Sequence, residues 1–244
     1  VALEGREQTR ESATEWTINA PGAPGHYEVK LHDASGGSMH LNLFVAVPST
    51  AVTDGEIGGY RIGPPPPGNK KYPQRYSQPT GFIEVTEDMG ELQLSPNFRL
   101  RQFLCKQGDG YPKYVVLQES LLLLLEGLLQ TVREAGYPAQ TFGVISGYRT
   151  PWYNKQIGNV PNSRHVYGDA MDLYVDTDND GRMDDLNGDG AHNRADVDIL
   201  GNLVENFMAR PTSRLIYGGV GRYSKNDRHG GFVHVDTRGY FARW

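Results

Sequence analysis

The 244-residue chain carries one cysteine, Cys105, which excludes any disulfide within the chain. A small secreted scaffold stapled by disulfides is thereby ruled out. Burial in the Phe103-Leu104-Cys105 segment is the expected role of this thiol. Long apolar runs are missing too: nothing approaches the ~20 residues of a membrane span. No secretory leader begins at Val1, so a mature form is expected to have had its leader removed. Charge of one sign is scarce overall, and a net charge of −5 with a pI of 5.8 makes no electrostatic case for nucleic acid. The length accommodates one large domain, or a catalytic domain with a small companion.

The acidic charge that is present is concentrated. Residues 176–198 hold eight Asp against Arg182 and Arg194, a formal −6 that leaves about +1 for the rest of the chain. Such a segment repels itself unless it holds cations. From Asp185 the oxygen-bearing residues Asp185, Asn187, Asp189, Asn193 and Asp196 fall at positions 1, 3, 5, 9 and 12, with Gly190 at 6 and the Ala191 carbonyl at 7. That is the spacing of an EF-hand calcium loop, with Asp in place of the usual final Glu. Asp176, Asp178 and Asp180, followed by Gly181 and the Arg182 carbonyl, begin the same pattern again, and its twelfth position falls on Asn187. With Val197, Ile199 and Leu200 opening a helix, the run resembles one dockerin repeat. A complete dockerin pairs two such repeats at a chain end, whereas this one lies mid-chain. The resemblance therefore implies one or two structural Ca2+ that stiffen a loop, and a calcium-dependent adhesion module is the alternative.

Two other runs carry candidate chemistry. Ser163 to Asp172 contains His165, Gly168 and Ala170, and Phe232 to Asp236 contains His234. Two imidazoles and a carboxylate are a frequent protein share of a catalytic zinc site, binding at about 2.0–2.2 Å and leaving one position open. Gly168 and the small Ala170 permit a tight turn into a strand, Met171 to Val175, that can present Asp172 beside His165. In the second run, period-2 alternation puts Phe232, His234 and Asp236 on one face and Val233 and Val235 on the other.

The pattern Ser-x-His-x-x-Gly-x-Ala-x-Asp resembles the superfamily that joins zinc D-Ala-D-Ala peptidases, lysostaphin-type enzymes and the hedgehog signalling domain. Within it, Leu94 to Phe103, Ser146 to Pro151, Gly218 to Gly221 and Phe232 to Trp244 look like the murein endopeptidase subgroup, and the likeness covers roughly residues 92–244. The resemblance implies that His165, Asp172 and His234 bind one Zn2+, that Arg149 stabilises the oxyanion of a scissile carbonyl, and that Ser163 and Tyr148 contact substrate. The general base departs from the family pattern. Where classical members have Glu or His, three or two residues before the last ligand, this chain has Gly231 and Phe232, which take no proton. Asp236 and His229 are the candidates that stay nearby. Asp236 has a second reading, as the group that holds a ligand imidazole in the right tautomer.

An α+β fold is expected: a small, mainly antiparallel sheet with packed helices carries the zinc site, and a small β-rich region precedes it. Residues 1–90 read as that β-rich module, with strands at His26 to Leu31, Ser38 to Val47, Tyr60 to Ile62 and Gly81 to Val85. Ala34 to Gly37 is a turn, and Pro64 to Pro67 a stiff linker or loop. Residues 91–244 read as the peptidase domain, with residues 176–198 as its calcium-binding insertion. Its helices are expected at Tyr114 to Ala135, with Leu121 to Leu125 apolar all round and Gly136 as cap, and at Arg194 to Ala209, stopped by Pro211. Its strands are expected at Thr141 to Ile145, Met171 to Val175, Leu215 to Tyr217 and Phe232 to Asp236. The functional expectation is a monomeric, periplasmic or secreted zinc peptidase acting on stem or cross-link peptides of peptidoglycan, an endopeptidase before a D,D- or L,D-carboxypeptidase. A non-catalytic zinc module that binds the wall is the rival from another class.

Overall fold

The computed structural model describes residues 2–244 apart from 4, 5, 8, 11–14, 33, 34 and 211–215. Strands β1 (Gly25–His32) and β2 (Ser38–Val45) form a long antiparallel hairpin in register from Gly25 opposite Val45 to His32 opposite Ser38. In β1 burial alternates from Tyr27 to His32, whereas in β2 Met39 and Leu41 are exposed along with their polar neighbours. The turn expected at Ala34 to Gly37 lies partly outside the described residues.

After β2 the chain changes sheets. Strand β3 (Val47–Pro48) pairs with β4 (Gly81–Val85), which pairs on its other edge with β5 (Lys113–Val115). Tyr114 was expected to open a helix, but the aromatic and β-branched Tyr114 and Val115 pair with Glu84 and Ile83, and helix α1 begins only at Glu119. A core of Ile62, Phe82, Val85, Leu100, Cys105, Val115 and Tyr148 gathers residues from both sides of residue 90.

Helix α1 (Glu119–Glu134) buries Leu121, Leu124, Leu125, Leu128, Leu129 and Val132, a stripe at helical spacing, and each fully buried leucine contributes roughly 1.5–3 kcal/mol. The Leu121 to Leu125 run is not buried all round, because the 100° step per residue turns Leu123 into solvent at 61 % exposure. Gly136, at φ +98°, follows the last turn as expected.

The principal sheet has five strands in the order β6 (Gly143–Ser146), β7 (Ala170–Tyr174), β9 (Phe232–Asp236), β8 (Gly219–Tyr223) and β10 (Ala242–Arg243). All neighbours are antiparallel except β8 and β10, which run parallel. The expected strand at Leu215 to Tyr217 falls partly outside the described residues, and Ile216 and Tyr217 are not strand; β8 lies further on, where Val220 and Tyr223 oppose Val235 and Phe232. Short α2 (Pro151–Gln156) starts at Thr150, whose hydroxyl accepts from Tyr153 N–H. Helix α3 (Arg194–Met208) packs with α1 against one face of the sheet, where Met171, Leu173, Val220, Val233 and Val235 join the leucines of α1 in the main core. Pro211 lies outside the described residues. The architecture is α+β, with small sheets that are antiparallel but for that one pair, and three α-helices among the described residues.

Candidate metal centre

The face of the sheet turned away from the helices carries the polar residues. Residues directly opposite in a ladder project to the same side. Ser146 opposes Asp172, Asp172 opposes His234, and His234 opposes Gly221, so one cross-strand row runs over four strands. His165 enters this row from outside the sheet, on a single 3-10 turn, Arg164–Tyr167, that ends at Gly168. Gly168 adopts φ +73°, and a Cβ there would stand 2.2 Å from the Val116 carbonyl oxygen, so glycine alone allows the turn that aims His165 at β7.

Three donor atoms converge. His165 Nε2 lies 3.1 Å from Asp172 Oδ1 and 3.1 Å from His234 Nδ1, and His234 Nδ1 lies 2.8 Å from Asp172 Oδ1. All three residues are at most 6 % exposed. The outer nitrogens have acceptors: His165 Nδ1–H donates to the Gly147 carbonyl at 2.6 Å, and His234 Nε2–H donates to Asp236 Oδ2 at 3.0 Å. Carbonyl and carboxylate oxygens only accept, so both tautomers are set with the inward nitrogen free to bind a metal.

The electrostatics act on the same three groups. Burial lowers the His165 pKa, and the nearby Arg149 guanidinium adds to that effect. Burial also acts against protonated His234, but hydrogen bonds to the Asp172 and Asp236 carboxylates outweigh it and raise the group to about 9. Desolvation would raise Asp172, yet the two imidazoles hold it well below the usual carboxylate range. These shifts favour a positive charge among the three groups. A zinc ion fits this donor set, since ligands at about 2.0–2.2 Å around a tetrahedral ion stand roughly 3.3–3.5 Å apart. The three atoms need move outward by only a few tenths of an ångström.

Arg149 is beside the centre. Its Nη2 donates to Asp172 Oδ2 and its Nε donates to Ser146 Oγ at 2.7 Å, leaving Nη1 without a partner among the described residues. Asp236 is wholly buried and lies behind His234, where it also accepts from Gly219 N–H at 2.9 Å and from Arg238. This position is that of the tautomer-holding carboxylate. Asp236→Asn is expected to weaken zinc binding about 10–100-fold, measured by competition with a chromogenic chelator.

The other candidates are not among the hydrogen-bonded partners of the three donors. His229 sits in the loop before β9, bonded to Asn226 and edge-on to the Phe232 ring at 4.8 Å. Tyr148 lies in the second core, 2 % exposed, with its hydroxyl unpaired. Ser163 precedes the His165 turn and its N–H donates to the Val160 carbonyl. Sequence reasoning overlooked Arg238, Gly147 and Ser146, which orient ligands or Arg149 without belonging to the spacing motif.

In the acidic segment, carboxylate oxygens of Asp176, Asp178 and Asp184 lie within 4.8 Å of one another. Asp184 had been passed over, although it occupies the ninth position counted from Asp176. Asp176 and Asp178 accept from Asp180 N–H, and Asp180 accepts from Arg182 N–H. In the next loop, Asp185 accepts from Gly188 and Gly190, Asn187 from Asp189, and Asp189 from Ala191. Asp196 is placed differently: fully buried, it accepts from Leu186 and Asn193 N–H and caps α3, while Asn193 accepts from Ala195 N–H.

Residues 96–189 match the family model of Peptidase M15. The match spans less than half of the chain, and supports a peptidase of the zinc D-Ala-D-Ala superfamily. It takes in Arg149, His165 and Asp172 but ends before His234, so the third donor joins the M15-like segment through the pairing of β7 with β9. No curated protein and no solved structure gives a significant match. Among the described residues no helix is long and apolar enough to cross a membrane.

Proposed function

We propose that the chain is a zinc metallopeptidase that hydrolyses peptide bonds of bacterial peptidoglycan, with endopeptidase action favoured. The convergence of His165 Nε2, Asp172 Oδ1 and His234 Nδ1, all buried, inside and beside an M15-like segment, carries this reading. A zinc ion held by these three residues would supply a Lewis acid for the scissile carbonyl and a water acidified toward a pKa of ~7.

The protein groups around it divide the remaining work. Gly147 and Asp236 fix the two imidazole tautomers. Arg149 holds the second oxygen of Asp172 and offers its Nη1 to the carbonyl oxygen of the bound peptide, where negative charge develops. Ser163, before the His165 turn, would contact the substrate backbone. His229 is the remaining proton acceptor near β9, while Asp236 acts through His234. The chain is read as a monomer, secreted or periplasmic, with wall peptides as partners.

Digestion of purified peptidoglycan by the zinc-loaded protein, with fragments identified by mass spectrometry, tests this. Cross-linked dimers should be converted to monomers. Release of only shortened monomer stems would make it a carboxypeptidase, and wall binding without any turnover would leave a non-catalytic zinc module.

The acidic segment is proposed to hold one or two Ca2+ through Asp176, Asp178, Asp180 and the Arg182 carbonyl, and through Asp185, Asn187, Asp189, the Ala191 carbonyl and Asn193. Asp196 would then anchor the loop to α3. Calcium at about ten times its Kd should raise Tm by roughly 3–5 °C. An unchanged melting curve in millimolar calcium removes the proposal.

A further inference from the structure

The cross-strand row continues past the metal centre. Gly221 lies directly opposite His234, and a Cβ there would come within 2.6 Å of Trp244 Nε1 and 3.0 Å of the Tyr223 ring. Both aromatic side chains are therefore on the His234 face of the sheet, over the space that the glycine leaves. Trp244 reaches this place because β10 runs alongside β8: its N–H donates to the Val220 carbonyl at 3.2 Å, and its carbonyl accepts from Arg222 at 3.1 Å. The indole is 5.2 Å from the His234 ring, and Tyr223 stacks on Phe232 at 4.6 Å and 11°.

The triad is buried, but this continuation is open. Trp244 is 48 % exposed and Tyr223 37 %. Their polar edges are bonded to each other, since Trp244 Nε1–H donates to the Tyr223 hydroxyl at 2.6 Å. The Arg238 guanidinium already sits 5.0 Å from the centroid of the Trp244 ring, which weakens the pull of that ring on a second cation. With Phe232 stacked on Tyr223 and Arg238 over Trp244, the exposed part of the two rings is the surface open to a ligand, beside a site that is otherwise charged. Two rings are also too large a surface for a methyl side chain. The C–H face of a saturated ring matches the size and brings no charge.

We propose that Trp244 and Tyr223 form a saccharide platform that takes an N-acetylated pyranose ring of the glycan to which the substrate peptide is joined. The identity of the sugar rests on the wall-peptidase reading, but sugar binding itself does not require turnover. Isothermal titration with tri-N-acetylchitotriose, which contains no bond for a peptidase, reads the platform alone. Binding should be measurable in wild type and at least about tenfold weaker in Trp244→Ala and in Tyr223→Ala, with partial retention in Trp244→Phe. Tyr223→Ala guards against an indirect effect, because Tyr223 stacks on Phe232 rather than on a metal ligand. In kinetic assays the ratio of kcat/KM for a cross-linked dimer of disaccharide-tetrapeptides over the same cross-linked peptide without its sugars should fall about tenfold in the same variants. Absence of chitotriose binding by wild type, or equal affinity in wild type and both alanine variants, overturns the platform. Failure of zinc-loaded wild type to cleave either peptide overturns the peptidase reading instead, and leaves the saccharide titration decisive for the platform.

Discussion

His234→Ala is expected to abolish stoichiometric zinc binding and to lower hydrolysis of peptidoglycan by about a thousandfold or more. The magnitude follows from losing several kcal/mol of metal-derived stabilisation, at about 1.4 kcal/mol per factor of ten. Removal of this imidazole takes away one of three converging donors and also leaves Asp236 without its Nε2–H partner, while Asp172 loses a 2.8 Å contact. Metal content by mass spectrometry and turnover by fragment analysis check the two parts separately. Retention of one zinc per chain would mean that His234 is not a ligand. Retained zinc with lost turnover would shift its role toward substrate or proton handling.

Gly168→Ala is expected to be strongly destabilising. The backbone at 168 is left-handed, at φ +73°, and the new methyl would meet the Val116 carbonyl oxygen at 2.2 Å and its carbon at 2.5 Å. Left-handed backbone costs an alanine about 1–2 kcal/mol, and overpacking against atoms that do not rotate away adds about 1–3 kcal/mol. A total of roughly 3 kcal/mol lowers Tm by about 6–12 °C. Because Gly168 follows the turn that carries His165, zinc affinity should fall with stability. A thermal melt within 2 °C of wild type, roughly the shift of half a kcal/mol, would show that the Val116 segment moves aside easily.

Much of the centre was legible because its logic is local. Gly168 between His165 and Asp172 marks a left-handed turn, and alternation in Phe232 to Asp236 separates the site face from the valines in the core. The helix at Arg194 was legible from Val197, Ile199 and Leu200 and from the stop at Pro211, whereas its cap of Asn193 and Asp196 was not. Elements decided by pairing were less legible. Tyr114 and Val115 read as helix until β4 offered them a partner, and the strand expected before Tyr217 formed at Gly219–Tyr223, where it pairs with β9. Asp196 has the spacing of a calcium ligand; in the first turn of α3 it is also buried, and its two oxygens accept from the Leu186 and Asn193 N–H groups.

The sequence by itself determined the donor types, the tight turn between two of them and the α+β class, because these depend on chemistry and periodicity within a few residues. Tertiary structure decided which groups serve the donors. Arg149 on Asp172 and Trp244 over Gly221 are neighbours through strand order and register, which join positions far apart in the chain. Sheet pairing is a non-local interaction, so spacing along the chain did not reveal it.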